Sequence, residues 1–568
     1  MELVEVRANE FEGVIRESPE GSADFAIILL GALSDIERRE ADVFLAEIVR
    51  VLKPGGLLFV QGTPEYLPKV GVYLESLLDF KYWIAVESSK RVSGFGLPTA
   101  HAGLLLYTKG GSRFNIKRFR LPHEYCMFCG KPLKDWGGKS HLMHPDGRVV
   151  SDVWSELPKA NNYDGLSGSV IDLIIALVDF NERGKNGAGL FTESGSRNSI
   201  KGYIWPAEGI FKSNGGEHRF DRDFDFNGRA KVSEKEYSAV FNKLNNDLVN
   251  VVYEGDAVKV LKEYPDNSID LVFADPPYNI EKSYNVYDDE KAAEEYVNWC
   301  NKWLEEYTRI LKPTGSLFIL NLPRWSIYHA DYLNKRLYLQ NWIVWDSLAE
   351  PRGKLLPAHY GLLFYTKSIA GFTFNYKEVG EIDARYYCRR SVCIKKRKKV
   401  GIDDKEQLTD IWKDIHRIRH KRDRDYHPCQ LPEQLMERII RLTTNKGDVV
   451  LDALAGTGTT ALTALKLDRK YVAIDIDRDY INIAKSKLSG YLKNGGIMKE
   501  PTRKQRRKYT KKELQLELRN IAKQLGRLPT PDEVKKVSKY EIEAYFDMFP
   551  TWNKALKAAK LEVGADGS

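Results

Sequence analysis

Asp270-Leu271-Val272-Phe273-Ala274-Asp275-Pro276-Pro277-Tyr278 is an apolar run closed by an acid, two prolines and a ring. A short run of this kind, apolar throughout, reads as a strand buried on both faces, which is the strand of a parallel sheet covered by helices. The two prolines hold the backbone extended and remove two N–H donors, leaving carbonyl oxygens as pure acceptors. In open α/β sheets the carboxyl end of a strand is where ligands bind. The group that suits this tetrapeptide is an exocyclic NH2. The Asp275 carboxylate can accept one of its hydrogens and the Pro276 carbonyl the other, which aims the nitrogen lone pair at an incoming electrophile. Tyr278 can stack on the face of a base taken out of a duplex. The plainer reading is a proline-rich turn that ends a strand.

Downstream, Asp448-Val449-Val450-Leu451-Asp452-Ala453-Leu454-Ala455-Gly456-Thr457-Gly458-Thr459-Thr460 reads as strand, glycine turn and helix start. Gly456 and Gly458 permit close approach to the backbone, and a helix N-terminus offers N–H groups. The next strand, Tyr471-Val472-Ala473-Ile474, ends in Asp475. An acid about 20 residues past a glycine turn is where a cofactor ribose is hydrogen-bonded. A nicotinamide-type site is the rival, but the chain lacks Gly-x-Gly-x-x-Gly here.

The chain also contains itself twice. Phe44-Leu45-Ala46-Glu47-Ile48-Val49-Arg50-Val51-Leu52-Lys53-Pro54-Gly55 reads like Trp303-Leu304-Glu305-Glu306-Tyr307-Thr308-Arg309-Ile310-Leu311-Lys312-Pro313-Thr314. Ala100-His101-Ala102-Gly103-Leu104-Leu105 matches Ala358-His359-Tyr360-Gly361-Leu362-Leu363, and Asp152-Val153-Trp154 matches Asp410-Ile411-Trp412. Order and spacing are kept, so duplication is expected. In each copy a Lys-Pro turn is expected to join a helix to a strand. Alternation of strands and helices implies a mostly parallel sheet with helices on both faces. Segment 181–246 is rich in Gly, Asn and Ser and reads as linker and loop. Gly187-Ala188-Gly189 within it is too weak to be a phosphate loop.

Length bounds the chain at three or four domains. The net charge of +8 is modest, but basic residues cluster at 385–424 and 503–512, and such clusters suit a polyanion. The alternative is a solvated loop and linker. Six cysteines do not make a disulfide scaffold. Met1 to Arg16 is too charged for a signal peptide, and the longest apolar runs are too short to span a bilayer. The expectation is a soluble, cytoplasmic protein with no membrane partner.

With these motifs in this order, the chain resembles the β-class of amino-group DNA methyltransferases. There, Asp-Pro-Pro-Tyr precedes the S-adenosylmethionine glycine loop and a target-recognition region lies between them. His427-Pro428-Cys429-Gln430-Leu431-Pro432 resembles the segment that flanks the cofactor, and Gly255-Asp256 resembles the lead-in to the catalytic strand. The resemblance covers about 250–490 and is greatest to cell-cycle-type and restriction-modification adenine enzymes. It implies an α/β, Rossmann-like methyltransferase fold with permuted motif order, here duplicated and followed by a small α-helical module. It implies catalysis by Asp275, Pro276, Pro277 and Tyr278. The cofactor S-adenosylmethionine would be held by Asp256, His427, Gln430, Pro432, Asp452, Ala453, Ala455, Gly456, Gly458, Thr459 and Asp475. Ala453-Leu454-Ala455 departs from the family's Pro-Phe and puts cofactor affinity in question. Asp275, where cytosine-N4 members more often carry Ser, favours adenine N6. A cytosine-N4 enzyme, an RNA or protein-amide methyltransferase and an inactive DNA-binding scaffold are the alternatives.

The domains expected are 1–180, an inactive methyltransferase-like copy; 181–246, linker; 247–495, the catalytic domain with target recognition at 372–425; and 496–568, a basic linker and helical DNA-binding repeat. The first copy has Leu29-Leu30-Gly31-Ala32 in place of 275–278, and Asn162-Tyr163-Asp164-Gly165 in place of 427–430. It is expected to be catalytically dead and to act as a built-in partner subunit, an internal pseudo-dimer in a chain that can remain monomeric. The other partners are double-stranded DNA and, in a restriction system, an endonuclease. Cys126, Cys129, Cys388 and Cys393, two from each copy, could hold one structural zinc. Cys126 and Cys129 with His141 and His144 are a local alternative, and free thiols in a reducing cytosol a third. At the end of the chain, Leu525-Gly526-Arg527-Leu528-Pro529-Thr530 and Phe549-Pro550-Thr551-Trp552-Asn553-Lys554-Ala555-Leu556 resemble the helical repeat associated with homing endonucleases. That implies DNA binding with salt-dependent phosphate contacts; a helical cap is the alternative.

Overall fold

The structure is a computed structural model. It describes residues 2–5, 11–32, 35–110, 116–133, 143–155, 166–178, 201–205, 244–282, 287, 289–347, 354–388, 390–402, 405–418, 430–493, 511–549 and 551–561. The readings made on Gly187–Gly189, Asn162–Gly165, His141, His427–Cys429 and the basic stretches 419–424 and 503–510 lie outside these.

Strands are numbered in chain order. The first sheet holds β1 (Glu2–Glu5), β2 (Ala23–Leu29), β3 (Leu52–Gly62), β4 (Asp79–Val92), β5 (Thr99–Thr108), β8 (Val153–Trp154) and β9 (Lys201–Trp205), in the order β1-β9-β2-β3-β5-β4-β8. A two-stranded ribbon, β6 (Arg120–Leu121) and β7 (Arg148–Val149), sits within this half. The second sheet holds β10 (Val251–Glu254), β11 (Ile269–Ala274), β12 (Leu311–Asn321), β13 (Tyr338–Asp346), β14 (His359–Thr366), β17 (Ile411–Trp412), β18 (Val449–Asp452) and β19 (Lys470–Asp475), in the order β10-β19-β18-β11-β12-β14-β13-β17. β15 (Glu381–Asp383) and β16 (Lys405–Gln407) pair with each other.

The two sheets share one pattern. β2-β3-β5-β4-β8 runs as β11-β12-β14-β13-β17, parallel and antiparallel pairings included. Side-chain contacts recur as well. Lys53 donates to Asp24 at 2.8 Å and Lys312 to Asp270 at 2.7 Å. Lys109 reaches the Leu52 carbonyl and Lys367 that of Leu311. The register fixes the correspondence around the proline tetrapeptide. Ile27 lies opposite Phe59 and Ile28 opposite Val60, while Phe273 lies opposite Phe318 and Ala274 opposite Ile319. Leu29 to Ala32 thus stand where Asp275 to Tyr278 stand in the second sheet, as the sequence comparison gives, and Leu29 and Leu30 are buried in the core.

Two expectations are corrected. Segment 181–246 is not linker throughout: Lys201–Trp205 forms β9, parallel to β2 and in the position that β18 takes beside β11. The first half therefore extends past residue 180. The Lys-Pro segments are not turns but the first residues of β3 and β12. There the chain bulges, the register shifting between Ala23 and Phe25 and between Ile269 and Leu271. A bulge adds an unpaired residue and bends a strand without ending it, which satisfies the same residues that signal a turn.

The halves share one apolar core. Trp83 and Trp342 stack with ring centroids 3.8 Å apart and planes 6° from parallel. The helices Leu67–Glu75 and Pro323–Leu333 pack together, where the Arg324 guanidinium and the Tyr328 hydroxyl meet Glu75. Asp152 N–H donates to Leu356 O and Asp410 N–H to Pro98 O, so matched contacts cross in both directions.

The C-terminal unit, taken by itself, has helices Lys511–Leu525, Pro531–Val537, Ile542–Met548 and Trp552–Ala558 around Leu514, Leu518, Val534, Tyr545 and Phe549. Thr530 caps the second helix, with Glu533 closing a capping box and Pro531 at the first position, where proline's fixed φ suits a helix start. Trp552 Nε1–H donates to Pro529 O at 2.9 Å.

Candidate active site

Four parallel strands end side by side. Glu254 of β10 pairs with Asp475 of β19, Asp452 of β18 with Ala473, and Phe273 of β11 with Asp452. The lead-in Asp256, the acid Asp475, the glycine turn and Asp275 therefore leave the sheet at one edge, the carboxyl edge where ligands bind.

The glycine turn is tied from within. Asp452 is buried. Its Oδ1 accepts from Leu454 N–H at 3.1 Å and its Oδ2 from the Thr460 hydroxyl at 2.6 Å. Burial, aided by nearby Asp475, pushes its carboxyl up to about 7. Asp475 accepts from Gly456 N–H at 2.7 Å and Asp477 N–H at 2.9 Å, and burial raises its pKa too. Ala455 N–H donates to Ile474 O, while Ala453 and Ala455 are buried. Gly456 and Gly458 are left-handed, with φ of 49° and 76°. At Gly458 a Cβ would lie 2.7 Å from Ala484 Cβ, so no side chain fits. Gly458 is the N-cap of helix Thr459–Lys466, which no side chain caps. The exposed Asp256 caps helix Ala257–Leu261, accepting from Lys259 N–H at 3.0 Å. Gln430 is half-buried and Pro432 buried, the latter at the N-cap of helix Glu433–Thr443.

The proline tetrapeptide is braced by residues that the sequence did not flag. Tyr296 donates to Pro277 O at 2.6 Å and itself accepts from Asn321 Nδ2 at 3.0 Å. Trp325 Nε1–H donates to Tyr278 O at 2.8 Å. Tyr278 is not presented as an open stacking platform. It is 3% exposed, with its ring 5.5 Å from that of Tyr360, and its hydroxyl donates to Asp275 Oδ1 at 2.7 Å. Tyr296, Asn321 and Trp325 read in sequence as ordinary core. The available signal was a polar tip on each at an element boundary.

Comparison with known proteins bears directly on this edge. A DNA methylase family of the N6/N4 type matches residues 269–486, and a homing endonuclease associated repeat matches residues 509–562. Type II methyltransferase M.BamHI of Bacillus amyloliquefaciens is 36% identical over 261 residues, covering 44% of this chain and 61% of that protein. Type II methyltransferase M.HpaI of Haemophilus parainfluenzae is 35% identical, covering 41% of this chain and 72% of that protein. DNA adenine methyltransferase YhdJ of Escherichia coli is 30% identical, covering 43% and 84%.

The chain belongs to the N6/N4 DNA methylase family.

The family match holds both the tetrapeptide and the glycine turn. It begins at the first residue of β11 and ends within helix Arg478–Lys493. The first half lies outside the match, and the match to M.BamHI spans about three fifths of that protein's length. The four cysteines predicted to share a metal are brought together, and His144 is not among them. No helix among the described residues is long and apolar enough to cross a membrane.

Proposed function

We propose that this DNA methylase moves a methyl group from S-adenosylmethionine to the N6 amino group of adenine in double-stranded DNA. The observation that carries the reading is that Asp275 and the glycine turn leave neighbouring parallel strands at one edge, Phe273 lying opposite Asp452. The left-handed Gly456 and Gly458, the uncapped helix start at Thr459 and the strand-end Asp475 fit the cofactor, and the resemblance adds Asp256, Gln430 and Pro432 as further contacts. When bound, S-adenosylmethionine supplies a methyl group already activated on a sulfonium. The rest falls to position and orientation. The Asp275 carboxylate and the Pro276 carbonyl accept the two amino hydrogens, and Pro277 keeps that backbone rigid. Tyr278 releases Asp275 and swings its ring against the flipped base. The acid at 275, together with the similarity to a DNA adenine methyltransferase, favours adenine over cytosine.

The first half serves as a built-in partner subunit with no chemistry of its own. Its support is the core it shares with the catalytic half and the buried Leu29 and Leu30 where the tetrapeptide would stand. The segment 372–425 and the C-terminal helical repeat supply DNA contacts. A restriction endonuclease acting on the same sequence is the protein partner this reading suggests.

The test is transfer from labelled S-adenosylmethionine to mixed-sequence duplex DNA, with nucleoside analysis, for wild type and Asp275→Ala. N6-methyladenine that disappears in the variant is expected. N4-methylcytosine would overturn the choice of base, and transfer to RNA alone would overturn the substrate.

A further inference from the structure

Cys126 and Cys129 belong to the first half, Cys388 and Cys393 to the second. Their four Sγ atoms lie within 4.8 Å of one another. Cys126 Sγ is 3.8 Å from Cys393 Sγ, and Cys129 Sγ is 3.6 Å from Cys388 Sγ. A tetrahedron with Zn–S bonds of about 2.3 Å has edges of about 3.8 Å. A disulfide requires about 2.05 Å, so the four sulfurs are not bridged in pairs, and their spacing matches the edges of a thiolate tetrahedron. Three of the four are buried.

The surroundings are built to hold this arrangement. Cys126 N–H donates to Lys131 O at 2.7 Å and Gly130 N–H to Cys126 O at 2.8 Å. With Gly130 at a φ of 65°, residues 126–131 fold into a tight knuckle. Met127 N–H donates to Tyr386 O, joining the knuckle to the other half. Arg397 is 5% exposed, donates to Cys388 O at 3.2 Å, lies 3.9 Å from Cys393 Sγ and rests on the Tyr387 ring. Four thiolates around Zn2+ leave two negative charges, and the buried guanidinium offsets one of them. An apolar cluster of neutral thiols would have no use for a buried cation, since burying an unpaired charge is costly.

We propose that Cys126, Cys129, Cys388 and Cys393 bind one Zn2+ and so bolt the first half onto the segment expected to read DNA. A site closed by four thiolates has no open position, so the metal is structural. It fixes helix Ser391–Lys399, which exposes Lys395, Lys396, Lys398 and Lys399. Removing the metal frees a basic surface from its anchor and leaves the residues at the sheet edge untouched. The metal site does not depend on the methyl-transfer reading; the DNA-reading role of the segment it anchors rests on that reading.

The experiment is metal analysis of the full-length chain purified without chelators, with Co2+ exchange as a second measurement. About one zinc per chain is expected, released by an organomercurial as four thiols react. The Co2+ form should show thiolate-to-metal charge transfer and the intense visible bands of a tetrahedral site. Cys129→Ser and Cys388→Ser should each lose most of the zinc, while Cys300→Ser, in the separate helix Ala293–Ile310, should keep it. Because a cluster variant can fail to fold, the Co2+ spectrum of the unaltered chain is decisive. A reduced, folded chain that holds no zinc and takes up no Co2+ would overturn the proposal. So would peptide mapping that finds Cys126–Cys393 and Cys129–Cys388 disulfides in freshly isolated protein.

Discussion

His101 Nδ1 lies 3.0 Å from Asp410 Oδ2, both side chains fully buried, and each residue comes from a different half. The same pair recurs with the halves exchanged, His359 Nδ1 lying 3.0 Å from Asp152 Oδ2. Each aspartate also accepts a backbone N–H from the opposite half, Ala100 to Asp410 and Ala358 to Asp152, both at 2.8 Å. Losing the acceptor of a buried backbone N–H costs about 1–3 kcal/mol. Asp410→Ala and Asp152→Ala should therefore each lower stability by about 1–3 kcal/mol, read from denaturant midpoints. A chain beginning at residue 247 strands His359 and uncovers Trp342, so it should unfold or self-associate in sedimentation. If that fragment proved monomeric and fully active, the first half would not be a built-in partner.

In the resting arrangement Tyr278 occupies Asp275 through its hydroxyl. A base that takes Asp275 Oδ1 displaces that bond, and a hydrogen bond to a charged group is worth about 1.5–3 kcal/mol. Tyr278→Phe keeps the ring and removes the bond. It should tighten engagement of a flipped base by about tenfold while leaving the cofactor affinity unchanged. Fluorescence of a duplex carrying 2-aminopurine at the target reads the first quantity and calorimetry the second. Tyr278→Ala should instead lose turnover, because the stacking surface goes with the hydroxyl. If Phe and Ala behave alike, stacking is not the role of this ring.

Gly458 and Gly447 separate fit from strain. Both are left-handed, at φ of 76° and 86°. A Cβ at Gly447 meets open space, whereas at Gly458 it strikes Ala484. Gly447→Ala should cost about 1 kcal/mol of stability and leave the cofactor affinity intact. Gly458→Ala should displace the start of helix Thr459–Lys466 and weaken S-adenosylmethionine binding by at least about tenfold. Titration calorimetry on both variants checks it, and equal affinities would remove the glycine turn from the cofactor site.

Much of this edge was legible because β11, β18 and β19 are continuous apolar runs that end in Asp275, Asp452 and Asp475. A strand buried on both faces must read that way, and the acid after it stands out. The repeat was legible for the same reason, since both copies must fill similar cores. β9 was not: Lys201-Gly202-Tyr203-Ile204-Trp205 is five residues inside a polar stretch, and only pairing with β1 and β2 makes it a strand. The bracing of the tetrapeptide by Tyr296, Asn321 and Trp325 left only a polar tip near an element boundary as its signal, and a buried Tyr or Trp looks the same in sequence whether or not that tip is used. The exchange of His101 and His359 between halves was hidden more deeply. Each motif occurs in both copies, and sequence alone does not say whether a histidine meets its own aspartate or the other's.

His329 offers the last prediction. Its Nε2 meets Asn321 Nδ2 at 2.9 Å, and burial pushes its pKa from 6.5 down to about 3. Between these values the unfolded chain takes up a proton that the folded chain refuses. Acidification from pH 6.5 to 5 therefore costs stability, by up to about 1.4 kcal/mol per pH unit. Asp452 has the opposite sign. Its carboxyl rises from 3.8 to about 7, so below pH 7 the folded chain keeps a proton that the unfolded chain has lost, and acidification over the same window adds stability. In the wild type the two slopes oppose each other, and single variants separate them. Measured against wild type by urea unfolding at pH 6.5 and 5, His329→Gln should gain relative stability on acidification and Asp452→Asn should lose it. Parallel profiles for all three chains would mean that neither group keeps its neutral form in the folded interior.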